Sequence, residues 1–157
     1  MSIKIDKLDI ADQMLESAIE EFLDKKRFFT AFNSAGVASE IYAKAIRLKG
    51  GTESQREVID AAIALMQKWN APGSSLREMK KITNHLKNGI KHFDSENDRY
   101  IELAPEEEAM YMIAEAMTNS EKLCRAQTPA IQRFTEFGRA KSIEITAQSR
   151  HVEGIKR

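Results

Sequence analysis

The spacing of apolar residues is the feature that most constrains how this chain can fold. From Leu8 onward, apolar residues recur at steps of three and four, as Ala11, Leu15, Ala18 and Phe22. This spacing places them on one face of an α-helix, which has to be buried against another element. The same period returns in residues 28–48, 54–69, 75–93, 105–124 and 129–137. The pattern predicts an all-α antiparallel helical bundle of about five main helices plus a short C-terminal helix.

Turn-forming residues separate these periodic segments. Gly50 and Gly51 end the second segment, and residues 70–74 break the chain after the third. Pro105 is followed by three glutamates, which favours a helix start because proline suits the first helical position and acids complement the helix dipole. The last helix is expected to end at Gly138. We therefore predict one domain over residues 1–138 and a polar tail over residues 139–157.

Length, charge and cysteine content exclude several classes of protein. The 157 residues suit one domain, and 24 Lys and Arg balance 24 Asp and Glu, so there is no overall positive charge of the kind that favours nucleic acid. The single cysteine, Cys124, excludes a disulfide framework, fits a reducing cytosol and is expected in the core. No apolar run approaches the roughly 20 residues of a membrane span, and the N-terminus lacks a signal-peptide pattern. The chain is expected to be a soluble cytoplasmic protein.

One stretch, residues 77–93, carries a local excess of positive charge, and we call it the basic segment. It has a single acid, Glu78, against five cations and two histidines: Arg77, Lys80, Lys81, Lys87, Lys91, His85 and His92. On an ideal helix its apolar residues fall within an arc of about 80°, and every cation lies outside that arc. Such a face can attract phosphate and place an imidazole beside it. It can equally be a solvated face whose cations serve solubility.

A short motif inside the basic segment resembles a known signature. The run of residues 87–92, Lys-Asn-Gly-Ile-Lys-His, resembles the signature of the HEPN (higher eukaryotes and prokaryotes nucleotide-binding) domain. That signature is an arginine followed four to six residues later by histidine, often with asparagine directly after the arginine. Asn88 and His92 occupy the family's positions, and Lys87 stands where the family has arginine.

The helix order also resembles the family, since two long antiparallel helices precede the motif. Residues 35–46 are similar to family second helices, and Glu40 and Lys44 match a Glu-x-x-x-Lys pair found in some members. The resemblance covers roughly residues 6–125. Many members of the family are metal-independent ribonucleases that pair as homodimers. Many are toxins partnered by a small nucleotidyltransferase antitoxin.

The resemblance implies roles for named residues. The catalytic residues would be Lys87, Asn88 and His92, with phosphate or RNA bound by Lys80, Lys81, His85 and Lys91 and support from Glu40 and Lys44. No metal and no cofactor are expected, because the sequence lacks a zinc-binding His-Glu-x-x-His, paired cysteines and a phosphate-binding P-loop.

The chemistry of RNA cleavage agrees with these residue types. Attack by the 2′-hydroxyl needs a general base that titrates near neutral pH and a cation for the charge of the developing phosphorane. Residues five apart on an ideal helix are separated by about 140°, so Lys87 and His92 converge more easily in a distorted helix or across a homodimer. Lysine lacks the planar fork of arginine, which leaves a non-catalytic nucleotide-, RNA- or protein-binding module as the alternative. An unrelated helical bundle is the third possibility.

Overall fold

The computed structural model describes residues 2–68, 75, 77–78, 89–90, 94 and 96–155, with the backbone alone at 97, 98 and 143–155. This part of the chain holds five α-helices and one 3₁₀ turn: α1 (Lys7–Leu23), α2 (Phe28–Leu48), α3 (Ser54–Lys68), η1 (Glu96–Arg99), α4 (Pro105–Lys122) and α5 (Pro129–Ile155). The predicted all-α bundle is confirmed. Most of the predicted helix over residues 75–93 lies outside the described residues.

The core forms where α1, α2, α4 and α5 meet. The predicted core face of α1 is confirmed, because Ala11, Leu15, Ala18 and Phe22 are all at most 1% exposed. The Asp6 side chain accepts a hydrogen bond from the Leu8 amide at 2.9 Å and so caps the start of α1. Small residues on α2 let it approach α1 closely: Ala31, Ala35 and Ala38 are fully buried.

Contacts along the helices fix their directions. Asp12 of α1 meets Tyr42 of α2, and the rings of Phe22 and Phe28 lie beside the turn between them, so α1 and α2 are antiparallel. Ser39 of α2 meets Glu115 of α4. Because the starts of α2 and α4 also line a common cavity, these two helices run in the same direction.

The start of α4 follows the sequence prediction. Pro105 is its first residue, and Glu106, Glu107 and Glu108 occupy its first turn. Residues 100–104 before it have no regular secondary structure, in agreement with the absence of a partner strand. The predicted position of this helix start is therefore confirmed. Pro105 lies beside the first turn of α2, so the two helices begin at the same end of the bundle.

The end of α4 differs from the prediction for Cys124. The helix ends at Lys122, and Cys124 lies in the following turn with a left-handed φ of 55° and an exposed thiol. Its amide donates to the Glu121 carbonyl oxygen at 2.9 Å, which closes the turn. The expectation that Cys124 belongs to the core is wrong, because the chain leaves the helix before its periodic position is reached.

The last helix is longer than predicted. It runs through Gly138 to Ile155, so the predicted end at Gly138 is wrong and the polar residues 139–155 are helical. Glycine costs about 1 kcal/mol within a helix. The first turns of α5 are anchored by Ile131 and Phe134, which are nearly fully buried, and extension of a formed helix adds one hydrogen bond per residue. A single glycine therefore does not end it.

The buried face of α3 also differs from the prediction. The apolar period of residues 54–69 runs through Val58 and Leu65 and predicts that both face the core. They are 62% and 46% exposed, whereas Ile59 is 1% exposed. Val58 and Ile59 are adjacent in sequence and lie only about 100° apart on the helix. Apolar residues make up more than half of the residues of α3. The apolar period alone therefore does not identify which side of the helix is buried.

Two glycines should respond oppositely to the same substitution. Gly50 has a φ of +78° after α2, whereas Gly138 lies within α5, and a Cβ at either position meets nothing within 4 Å. Gly50→Ala is expected to lower the free energy of unfolding by about 1 kcal/mol through backbone strain. Gly138→Ala should raise it by up to about 1 kcal/mol through helix propensity. Urea unfolding of both variants checks this, and a shared sign would contradict it.

Candidate functional site

Most residues of the predicted site lie outside the described part of the chain. This applies to the three catalytic candidates and the four phosphate-binding candidates: Lys87, Asn88, His92, Lys80, Lys81, His85 and Lys91. Gly89 and Ile90, which lie between Asn88 and Lys91 in the motif, are described. Their surroundings show where these two residues lie relative to the bundle.

Gly89 and Ile90 are both in contact with the rest of the fold. Ile90 is partly buried and packs against the core cluster, as its place in the predicted apolar arc requires. Gly89 lies beneath Ile101, and a Cβ added to it would come within 2.7 Å of the Ile101 Cδ1 atom. The glycine thus allows close approach of a side chain from the segment before α4. Ile90 therefore contacts the core, and Gly89 contacts the segment that precedes α4.

Glu40 and Lys44, the supporting pair, lie one turn apart on α2. The Lys44 Nζ atom is 2.7 Å from Glu40 Oε1, and both side chains are 63% exposed. An exposed pair of this spacing contributes only about 0.3–0.5 kcal/mol to stability. The pair therefore makes only a small contribution to stability. Both charged side chains lie on the exposed face of α2.

A buried polar network that sequence analysis did not find lies next to Glu40. The Ser39 hydroxyl donates to Glu115 Oε1 at 2.6 Å, and Asn119 Nδ2 donates to Ser39 Oγ at 3.2 Å. Asn119 Oδ1 in turn accepts from the Ser54 amide at 2.8 Å. Ser39 and Asn119 are at most 1% exposed. Each buried polar atom gains a partner in this way, and the network ties α2, α3 and α4 together.

A second polar cluster joins α1, α2 and the segment between α4 and α5. The Arg125 guanidinium binds Asp12 through two nitrogens and Asp9 at 2.8 Å, and the Tyr42 hydroxyl donates to Asp12 Oδ1 at 2.6 Å. A cavity of about 40 Å³ lies beside Asp12, Tyr42 and Ser120. This volume is of the size that holds water molecules. The cluster therefore works as a clamp between elements.

The two titratable groups of the clamp shift in opposite directions. Burial alone would raise the pKa of Asp12, but hydrogen bonds from Arg125 and Tyr42 and the charge of Arg125 outweigh it and hold that pKa below its ordinary value. Burial, together with the hydrogen bond to Asp12 and its charge, raises the pKa of Tyr42 well above its usual range. Tyr42 is therefore a neutral donor at physiological pH and is unsuited to act as a base.

The lowered pKa of Asp12 predicts a pH-dependent contribution to stability. A depressed carboxyl pKa stabilises the fold above the unfolded value of about 3.9, and the contribution is lost as the pH falls through the folded value. Asp12→Asn should lower the free energy of unfolding at pH 7, and the difference from the parent should shrink below about pH 4. Urea unfolding at several pH values measures it.

The control for this experiment is Asp60→Asn. Asp60 forms an exposed pair with Arg56, one turn away on α3, so its loss should cost less than about 0.5 kcal/mol. A deficit for Asp12→Asn that is equally large at pH 7 and pH 3 would contradict the assignment.

Neither a metal site nor a membrane-spanning helix is found among the described residues. Within them, no group of three or more His, Cys, Asp or Glu side chains converges in a way that could hold a metal ion. None of the helices in this part of the chain is both long enough and apolar enough to cross a membrane.

Comparisons with known proteins identify no relative of this chain. Protein-family models, curated protein sequences and solved structures all give no significant match to this chain.

Proposed function

We propose that this protein is a HEPN-like, metal-independent endoribonuclease of the toxin or defence type that acts in the cytoplasm. The observation that supports the proposal is the packing of Ile90 on the core, with Gly89 beneath Ile101. These contacts attach Ile90 to the core of the bundle and Gly89 to the segment before α4. A catalytic group needs such a support, because small errors in position cost large factors in rate.

The proposed reaction is attack of an RNA 2′-hydroxyl on the adjacent phosphorus. His92 would accept the hydroxyl proton, because an imidazole titrates near neutral pH. Lys87 would stabilise the negative charge that develops on the phosphorane, and Asn88 would hold the imidazole or the phosphate. The leaving 5′-oxygen gains a proton, and the product retains a 2′,3′-cyclic phosphate.

A homodimer is part of the proposal. Lys87 and His92 would lie about 140° apart on one ideal helix, so two motifs across a two-fold axis can supply both groups to one phosphate. Sedimentation at tens of micromolar should show a dimer. A strict monomer would remove the composite site. If the protein is a toxin, its antitoxin is expected to be a nucleotidyltransferase-type protein, as the family resemblance implies.

The alternative function is a non-catalytic module of the same fold that binds a nucleotide, RNA or a protein. The residue that favours it is Lys87, since lysine is a flexible point charge and does not grip phosphate in one orientation as arginine does. This alternative predicts binding that weakens steeply with salt but no cleavage.

Incubation of the pure protein with diverse RNAs in the presence of a chelator separates the two functions. The ribonuclease should cut RNA without divalent metal and leave 2′,3′-cyclic phosphate ends. Lys87→Arg should increase the rate, because arginine restores a planar, bidentate contact to phosphate. If the parent and Lys87→Arg are equally inert while both remain folded, the ribonuclease is rejected and the binding module is retained.

A further inference from the structure

An open cavity lies at the end of the bundle opposite the Asp12 clamp. Its volume is about 320 Å³, and it is lined by the turn between α1 and α2, the first turn of α2 and the first residue of α4: Lys26, Arg27, Phe28, Phe29, Thr30 and Pro105. We call it the turn cavity. Cavities that bind small molecules begin at roughly this size. None of its lining residues belongs to the motif in the basic segment.

Two adjacent phenylalanines have different environments at this cavity. Phe28 packs into the core, with its ring centroid 5.4 Å from that of Phe22. Phe29 is 52% exposed although it is a large apolar residue. An exposed aromatic ring on a cavity wall offers a face on which a nucleobase can stack, and such stacking tolerates any base.

The charge at the cavity comes from Lys26 and Arg27. Lys25, just before them, is bonded to Glu21 at 2.7 Å, and Arg27 lies 3.8 Å from the same carboxylate. Lys26 has no carboxylate within ion-pair distance among the described residues. Lys26 does act on the neighbouring Asp24, whose pKa is lowered mainly by Arg133 and in part by Lys26, but no ion pair in the described part of the chain holds the Lys26 ammonium. The charge of Arg27 is partly compensated by Glu21.

The backbone at Lys26 turns the chain at the end of α1. Lys26 has a φ of 55°, a left-handed conformation that disfavours residues with a Cβ and that is usually occupied by glycine or asparagine after a helix. Cys124 has the same φ of 55° after α4, so this conformation marks the end of a helix at both positions. The acids at the start of α4, Glu106 and Glu107, line a separate cavity with Lys141.

From this combination we propose that the turn cavity binds a nucleoside phosphate, with the base stacked on Phe29 and the phosphate held by Lys26 and Arg27. The ligand chemistry is the same for a free nucleotide and for one nucleotide of a single-stranded RNA. The inference does not depend on the proposed cleavage reaction, because it uses none of the motif residues.

The test measures binding of AMP, adenosine, inorganic phosphate and a short single-stranded oligoadenylate to the full chain. AMP should bind in a saturable way and shift the amide NMR signals of Phe29 and Thr30. Adenosine and phosphate, each lacking one half of the contacts, should bind more weakly. Tighter binding of the oligoadenylate than of AMP would identify the RNA strand as the source, and equal binding would identify the free nucleotide.

Three variants make the test specific. Phe29→Ala removes the stacking face, and Lys26→Gly removes the charge while relieving the left-handed backbone, so the fold is kept. Each should weaken AMP binding by about tenfold or more. The control Lys49→Gln, an exposed lysine at the far end of α2, should leave it unchanged.

Unchanged affinity in both Phe29→Ala and Lys26→Gly would overturn the proposal. So would a failure of AMP to bind at millimolar concentration, or phosphate that binds as tightly as AMP. Failure here is distinguishable from failure of the ribonuclease, because the lining residues of the turn cavity are not motif residues. AMP binding that Phe29→Ala and Lys26→Gly both weaken, in a protein that cuts no RNA, would reject the ribonuclease and keep the turn cavity.

Discussion

Replacement of His92 by alanine is expected to lower the rate of metal-independent RNA cleavage by about 10² to 10⁴, the usual contribution of a general base. The substitution removes the imidazole of the motif and leaves the apolar residues of the basic segment unchanged. In the predicted helix His92 lies outside the apolar arc, so the free energy of unfolding should change by less than about 0.5 kcal/mol. Initial rates on a defined RNA, measured with a chelator present, give the comparison.

The matched control is His151→Ala. His151 is the remaining histidine outside the basic segment, and it lies in the C-terminal half of α5. Its removal should leave the rate within a factor of about two, since general acid–base catalysis requires direct reach to the proton. Equal losses in the two variants, or full activity in His92→Ala, would exclude His92 as the base.

Replacement of Phe22 by alanine is expected to lower the free energy of unfolding by about 3–5 kcal/mol, as is typical of a buried aromatic residue. Phe22 is fully buried, and its ring centroid lies 5.4 Å, 5.5 Å and 5.3 Å from those of Phe28, Phe134 and Phe137. These edge-on contacts join the end of α1 to α2 and α5. Alanine would lose them all and leave a cavity where three helices meet.

Phe29→Ala is the control for Phe22→Ala. Its ring is half exposed, so less apolar surface returns to water and the cost should stay below about 1 kcal/mol. Denaturant unfolding followed by circular dichroism measures both variants. Similar costs for the two would show that the aromatic cluster does not hold the bundle together.

Local sequence information predicted much of the helical architecture. The period of Leu15, Ala18 and Phe22 defined the buried face of α1, and Pro105 with its glutamates defined the start of α4. These signals act within one or two turns, so they can be read without knowledge of the neighbours. The motif of residues 87–92 could be recognised in the sequence for the same reason, since its residues lie within six positions of one another.

The polar clusters could not be predicted in this way. Asp12 and Arg125 are 113 positions apart, and Ser39 and Asn119 are 80 apart. Nothing in the local pattern of either residue identifies its partner, because the pairing depends on how α1, α2 and α4 are arranged in space. The turn cavity likewise depends on Pro105 lying close to residues 26–30.

The sequence by itself determined that this chain is helical and where most of its helices begin. It also supplied the hypothesis that residues 87–92 act on RNA. Only the tertiary structure decided that Ile59 rather than Val58 is buried, that Cys124 lies in an exposed turn, and that α5 continues past Gly138. The physical reason is that periodicity and capping are local, whereas burial is a property of the whole packed molecule. Adjacent residues with equal propensity are distinguished only by what packs against them.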